Sequence, residues 1–187
     1  MKLKVTFNAP VVLSFVFICF VVLIVGLVSG GMITEQYFTT YHSPLTSPLT
    51  YIRFFTHVIG HGSWEHFIGN MSYILLLGPI LEEKYGSKRL LIIIILTAFV
   101  TGIVHYLLFW NSGLCGASGV VFAFILLASF TSFREGELPL TVILVAVIFL
   151  GQQIVDMILV RDNISNLSHV IGGIVGAVAG YQLQRKK

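Results

Sequence analysis

Six stretches of this chain are long and apolar enough, or nearly so, to cross a lipid bilayer, and no other feature limits its fold as much. A span needs about 20 mostly apolar residues, because the hydrocarbon core is ~30 Å thick and a helix rises ~1.5 Å per residue. The stretches are residues 10–30, 63–81, 90–110, 116–133, 138–160 and 164–183. Charge is correspondingly scarce: 10% of the 187 residues are charged, where a soluble domain carries about 25%. The expected fold class is all-α, a polytopic membrane helix bundle. Residues 1–187 are expected to form a single membrane domain, with no room for a separate soluble one.

The first stretch follows Lys2 and Lys4, as a secretory signal would. Its apolar run exceeds the about 7–15 residues of a signal core, and no small-x-small cleavage site follows, so a retained span is expected. The connection over residues 31–62 is polar and His-rich, with Ser43-Pro44 and Ser47-Pro48 as turn elements. Its short apolar piece, residues 51–55, is expected along the membrane surface. Cys19 falls within the first span and Cys115 in a loop, so no disulfide framework is implied.

Orientation follows from the basic residues. Six spans put Lys2, Lys4, Lys84, Lys88, Arg89, Arg134, Arg185, Lys186 and Lys187 on one side and only Arg53 and Arg161 on the other. Both termini are therefore expected in the cytoplasm. The net charge of +3 lies at segment ends and forms no patch, which excludes a nucleic-acid partner. The lipid bilayer is the partner the composition demands.

Polar residues inside spans are costly and default to a functional reading. Ser118 lies 16 residues before Arg134, His169 lies 16 before Arg185, and His66 lies 16 before Glu82. At ~1.5 Å per residue, each sits ~24 Å above the cytoplasmic boundary, just below the outer surface. Asn70 is one turn from His66 on the same face. These spans run in parallel, so three polar side chains share one level near helix N-termini.

That set suits acyl transfer. A serine hydroxyl is a poor nucleophile until a base takes its proton, and histidine is the usual base. Ser118 and His169 supply the pair. No intramembrane Asp or Glu stands near His169 in sequence, so a dyad is expected. The start of the fourth span offers backbone N–H donors for an oxyanion, and His66 and Asn70 can add two more. Gly119 and Ala123 form a small face, as do Gly172, Gly176 and Gly180, and such faces allow close helix approach. Phe122, one turn from Ser118, is placed to support the His169 ring.

The chain resembles the rhomboid family of intramembrane serine proteases over roughly residues 54–180. The family's His-x-x-x-Asn is similar to His66-Phe-Ile-Gly-Asn70. Its Gly-x-Ser-Gly is similar to Gly116-Ala-Ser118-Gly119. Its His-x-x-Gly-x-x-x-Gly is similar to His169-Val-Ile-Gly172-Gly-Ile-Val-Gly176. The resemblance implies a six-helix core and a Ser118–His169 dyad. It implies an oxyanion site from the Ser118 amide, His66 and Asn70, with Gly116, Gly119, Phe122 and Gly172 in support. It also implies cleavage of single-span or polytopic membrane proteins near the outer surface, with no cofactor, no metal and no ATP. Glu82 resembles the family's glutamate at the cytoplasmic end of the second span. Two departures stand out: many relatives carry a tyrosine where this chain has Phe122, and a Trp-Arg pair common in the first loop is missing from residues 31–62.

Other readings of the same residues are a small transporter or channel, and a catalytically inactive rhomboid-like helix-binding protein. A transporter is favoured by internal repeats, and no clear repeat is present. The intact Ser118 and His169 argue against an inactive relative. His57 and His61 have the spacing of a metal pair, yet a third ligand and an acidic base are not obvious. His105 reads as structural or water-contacting, and Cys115 as incidental. Gln152, Gln153 and Asp156 make the outer end of the fifth span polar, and the rhomboid resemblance implies that a substrate helix enters sideways beside that span.

Overall fold

The computed structural model describes residues 3–132, 137–159 and 163–185. Lys2, Arg134, Arg161, Lys186 and Lys187, which enter the charge count, lie outside the described residues. Hydrocarbon cannot pair with backbone N–H and C=O groups, so each segment must pair its own. The chain accordingly forms a helical membrane bundle. Its long helices are α1 (Pro10–Val28), α4 (Trp64–Tyr85), α5 (Ser87–Leu108), α6 (Ser118–Ser129), the composite α7 (Leu140–Val145) with α8 (Gly151–Leu159), and α9 (Asn163–Arg185). Among the described residues, Pro10–Val28, Ser87–Leu108 and Leu140–Ile158 are long and apolar enough to cross a membrane unaided, and α6 is a shorter apolar helix.

The expected bounds differ in detail, and three of the differences have a visible cause. The second pass runs to Tyr85 rather than stopping at residue 81. Glu82 prolongs it because the carboxylate is not in lipid: it is 4% exposed and accepts hydrogen bonds from Val11 N (2.9 Å), Val12 N (3.0 Å) and Ser87 Oγ (2.7 Å). A buried anion thus closes the positive end of α1, whose first turn holds no acid of its own. The fourth pass begins at Ser118 rather than Gly116, since Gly116 takes a φ of +121°, outside helical space. The fifth pass is not one regular helix. A π-helical turn, Ala146–Leu150, separates α7 from α8.

The connection over residues 31–62 is a folded unit. It contains α2 (Met32–Phe38), β1 (Thr40–Tyr41), α3 (Pro48–Thr56) and a 3₁₀ turn, His57–Ile59. Its centre is the buried Arg53, whose Nε donates to Gln36 O at 2.8 Å while the guanidinium lies 4.3 Å from the Tyr41 ring centre. The apolar piece expected at residues 51–55 is the middle of α3, and α3 packs on α5 at Gly102. A Cβ there would lie 2.8 Å from Phe54 O. Strand β1 pairs antiparallel with β2 (Gly113–Leu114), with Thr40 opposite Leu114. This two-stranded ladder ties the connection to the loop that leads into Ser118.

Helix α6 runs through the middle of the bundle, with Val120, Ala123, Phe124, Leu126 and Leu127 fully buried. Its seam with α9 is tight because glycine makes it so. A Cβ on Gly172 would collide with the carbonyl of Gly119, and one on Gly176 with the carbonyl of Ala123. The expected small faces do meet. The fifth pass is packed most loosely of the three long apolar helices: 11% of it is buried inside the protein, against 50% of α5.

Candidate active site

Ser118 is the first residue of α6, so its backbone N–H is one of those a helix leaves unpaired at its start. The loop before it is anchored by Gly116 N donating to His57 O at 2.9 Å. Gly116 also has the imidazole of His66 directly over its Cα, so that a Cβ would collide with Nε2, and Asn70 Nδ2 lies 3.6 Å from the same point. Only a residue without a side chain fits there, both for its φ and for this approach. His66 is held in the first turn of α4 by Ser63, which caps the helix by accepting from His66 N at 3.2 Å. Asn70 follows one turn on, 7% exposed, and its Nδ2 has no partner among the described residues. A buried amide N–H without a partner is expensive. Here it lies beside the loop that delivers Ser118.

His169, on α9, packs against Ser118's helix. Its ring stacks on Phe122, centroids 4.4 Å apart and planes 4° from parallel. Phe122 shares a helix face with Ser118, one turn away, and Phe149 meets its ring edge-on at 6.3 Å. The Ser118 hydroxyl has no hydrogen-bond partner among the described residues. Bonds of this type commonly tighten only when substrate is bound. The His169 ring is also gripped from a third direction: Nδ1 lies 2.7 Å from Gln153 Oε1, on α8. Sequence spacing pairs His169 with Ser118 alone and assigns Gln153 to a polar rim. No i±4 relationship links residues 153 and 169, and only the docking of α8 on α9 brings them together. The available signal was the glutamine itself, a polar side chain in an apolar span.

Three further histidines, His57, His61 and His105, are buried. His57 Nδ1 is 3.1 Å from Arg53 O, and Nε2 is 3.2 Å from Thr101 Oγ1. His61 Nδ1 is 3.3 Å from Ile59 O, and its ring meets that of His66 edge-on at 5.0 Å. Burial pushes both His57 and His61 down to about 4, so both are neutral at physiological pH. Repulsion from His66 adds to the effect at His61. His105 is buried on α5, with Nε2 3.1 Å from Ser112 O. Among the described residues, no three His, Cys, Asp or Glu side chains converge to hold a metal ion. Cys19 and Cys115 are both free thiols. Burial pushes the Cys115 thiol up, partly offset by a hydrogen bond with Thr39, which keeps it from the reactive thiolate form.

Fold and site together define a polytopic helical membrane protein with a polar cluster sunk among its helices near one end of the bundle. The chain belongs to the rhomboid family: the Rhomboid domain family matches residues 48–186. It is 28% identical over 177 residues to the rhomboid protease GlpG of Yersinia pestis (strain Pestoides F), covering 92% of this chain and 62% of that protein. It is 30% identical over 135 residues to the rhomboid protease GlpG of Pectobacterium atrosepticum, covering 69% of this chain and 47% of that protein. The chain therefore spans less than two thirds of the length of these curated relatives.

Proposed function

We propose that this chain is an intramembrane serine endopeptidase that cuts transmembrane helices of other membrane proteins near the outer surface. The observation that carries the reading is the stacking of His169 on Phe122, one turn from Ser118, across a seam closed by Gly172 and Gly119. The naming of its relatives as rhomboid proteases supports the same activity.

In this reading a substrate helix enters beside α7–α8 and unwinds locally, because helical carbonyls are shielded by their own hydrogen bonds. His169 Nε2 takes the proton from Ser118 Oγ as Oγ bonds to the scissile carbonyl carbon. The carbonyl electrons move onto oxygen, and that oxyanion is held by the Ser118 amide, His66 and Asn70. Asn70 Nδ2, buried without a partner among the described residues, is a donor already desolvated for that purpose. Collapse of the intermediate breaks the C–N bond while His169 returns the proton to the leaving amine. Water from the outer side, deprotonated by His169, then bonds to the acyl carbon; the C–O bond to Ser118 breaks and His169 returns the proton to Oγ. Six passes with both termini in the cytoplasm put this cluster on the outer side of the membrane.

Cleavage of a reporter transmembrane substrate by the purified protein, in EDTA, with and without Ser118→Ala, tests the proposal. Cleavage by the parent alone is expected. Persistent cleavage by the variant would overturn the serine mechanism. Cleavage by neither, with solute flux in liposomes, would replace the protease by a transporter.

A further inference from the structure

We propose that Gln153 is a positioning residue that fixes the tautomer of His169. This rests on the reading of Ser118 as nucleophile and His169 as base. Gln153 Oε1 lies 2.7 Å from His169 Nδ1, and both side chains are half-buried. An amide oxygen only accepts, so the bond requires the proton on Nδ1. Nε2 then carries the lone pair. That is the tautomer a base needs if Nε2 is to take the serine proton.

The bond gains strength as the reaction proceeds. When Nε2 takes the proton, the Nδ1–H becomes a donor on a cation, and hydrogen bonds with one charged partner are roughly twice as strong as neutral ones. Phe122 holds the plane of the ring, and Gln153 fixes its rotation within that plane. A carboxylate in this place would orient the ring equally well, but an ionised group inside an apolar span costs several kcal/mol more than an amide.

The local backbone accounts for which glutamine faces the ring. The π-helical turn Ala146–Leu150 ends two residues before Gln152. An extra residue in such a turn rotates the helix beyond it by about 100°. Gln152 is exposed and Gln153 faces inward, whereas an unbroken α-helix would give Gln152 the place Gln153 now holds. The bond also joins the His169 ring to α8, part of the least buried of the long apolar passes.

The test compares parent, Gln153→Leu, Gln153→Glu and Ser118→Ala, using reporter cleavage and ¹⁵N NMR of histidine-labelled protein, with His169 assigned by its own substitution. Outer-shell partners that orient a metal-ligating imidazole are typically worth about 10–100-fold, and the same orienting task sets the scale here. Gln153→Leu is therefore expected to lower kcat by about that factor with KM little changed, and to lose the Nδ1–H signature of His169. Gln153→Glu is expected to keep that signature and restore most of kcat. Parental kcat in Gln153→Leu would overturn the proposal, as would an Nε2–H tautomer in the parent, or a kcat loss with the NMR signature intact. Cleavage by Ser118→Ala would instead overturn the serine reading, while the tautomer measurement still decides whether Gln153 holds the ring.

Discussion

The rings of Phe122 and His169 lie flat against each other, 4.4 Å between centroids and 4° from parallel, across the α6–α9 seam. Stacked pairs contribute about 0.5–1.5 kcal/mol beyond their burial. The contact needs a ring and no hydroxyl, so in the proposed mechanism Phe122 orients His169 through its ring alone. Phe122→Tyr is expected to leave the cleavage rate close to that of the parent. Phe122→Ala is expected to lower kcat by about tenfold, one 1.4 kcal/mol step in the barrier. Steady-state cleavage at equal protein loading checks both, and equal rates for alanine and tyrosine would remove the ring from the mechanism.

Asn70 offers a separation of stability from activity. Its Nδ2 has no partner among the described residues, so Asn70→Ala sacrifices no bond at that atom. The folded protein is expected to melt within a few degrees of the parent. The rate is expected to fall by about 10²–10³, the typical effect of losing one oxyanion donor. Ser118→Ala is expected to lose all measurable cleavage. Parallel thermal melts and cleavage assays check the ranking, and complete loss in both variants at equal expression would contradict it.

The seam itself makes a packing prediction. Gly172→Ala drives a methyl group into the Gly119 carbonyl, and the atom in the way is backbone rather than a flexible side-chain tip. Overpacking of this type costs about 1–3 kcal/mol. Gly69 is the control: it lies on α4, and a Cβ added there would meet nothing within 4 Å. Gly69→Ala is expected to be neutral or slightly stabilising, since alanine is the better helix former by about 1 kcal/mol. Thermal unfolding in detergent checks the pair.

Acid should loosen the fold through His57 and His61. Both are held at about 4 by burial, below the ordinary histidine value of 6.5. Between those values the unfolded chain binds more protons than the folded one, so stability rises with pH across the window. It is fully present above about pH 6.5 and is lost progressively as pH falls towards 4, by up to about 3 kcal/mol for each histidine. Melting temperature is expected to drop over that range, and His57→Gln to flatten the slope. A melting temperature constant from pH 7 to 4.5 would show that these rings are not held neutral.

Much of the architecture was legible because a membrane strips sequence signals down to two. Apolar length marks the passes, and any polar residue within one stands out. Ser118, His169, His66 and Asn70 became candidates for that reason, and the common depth expected of them came from counting helix rise. The connection at residues 31–62 was less legible. Its order comes from Arg53 reaching Gln36 O and from the Thr40–Leu114 ladder, contacts between residues far apart in the chain that leave no periodic trace.

What the sequence determined alone is the environment: too little charge for water, apolar segments of spanning length, and a few hydroxyl, imidazole and amide groups set among them. Which of those groups meet was decided only in three dimensions. Periodicity assigns a residue to a face of its own helix, but it does not say which neighbour that face will touch. The approach of Gly172 to Gly119, the fit of His66 over Gly116 and the bond from Gln153 to His169 each depend on two packed helices, or a helix and a loop. In the last case the π-helical turn adds a rotation that no hydrophobic pattern in α7–α8 announces.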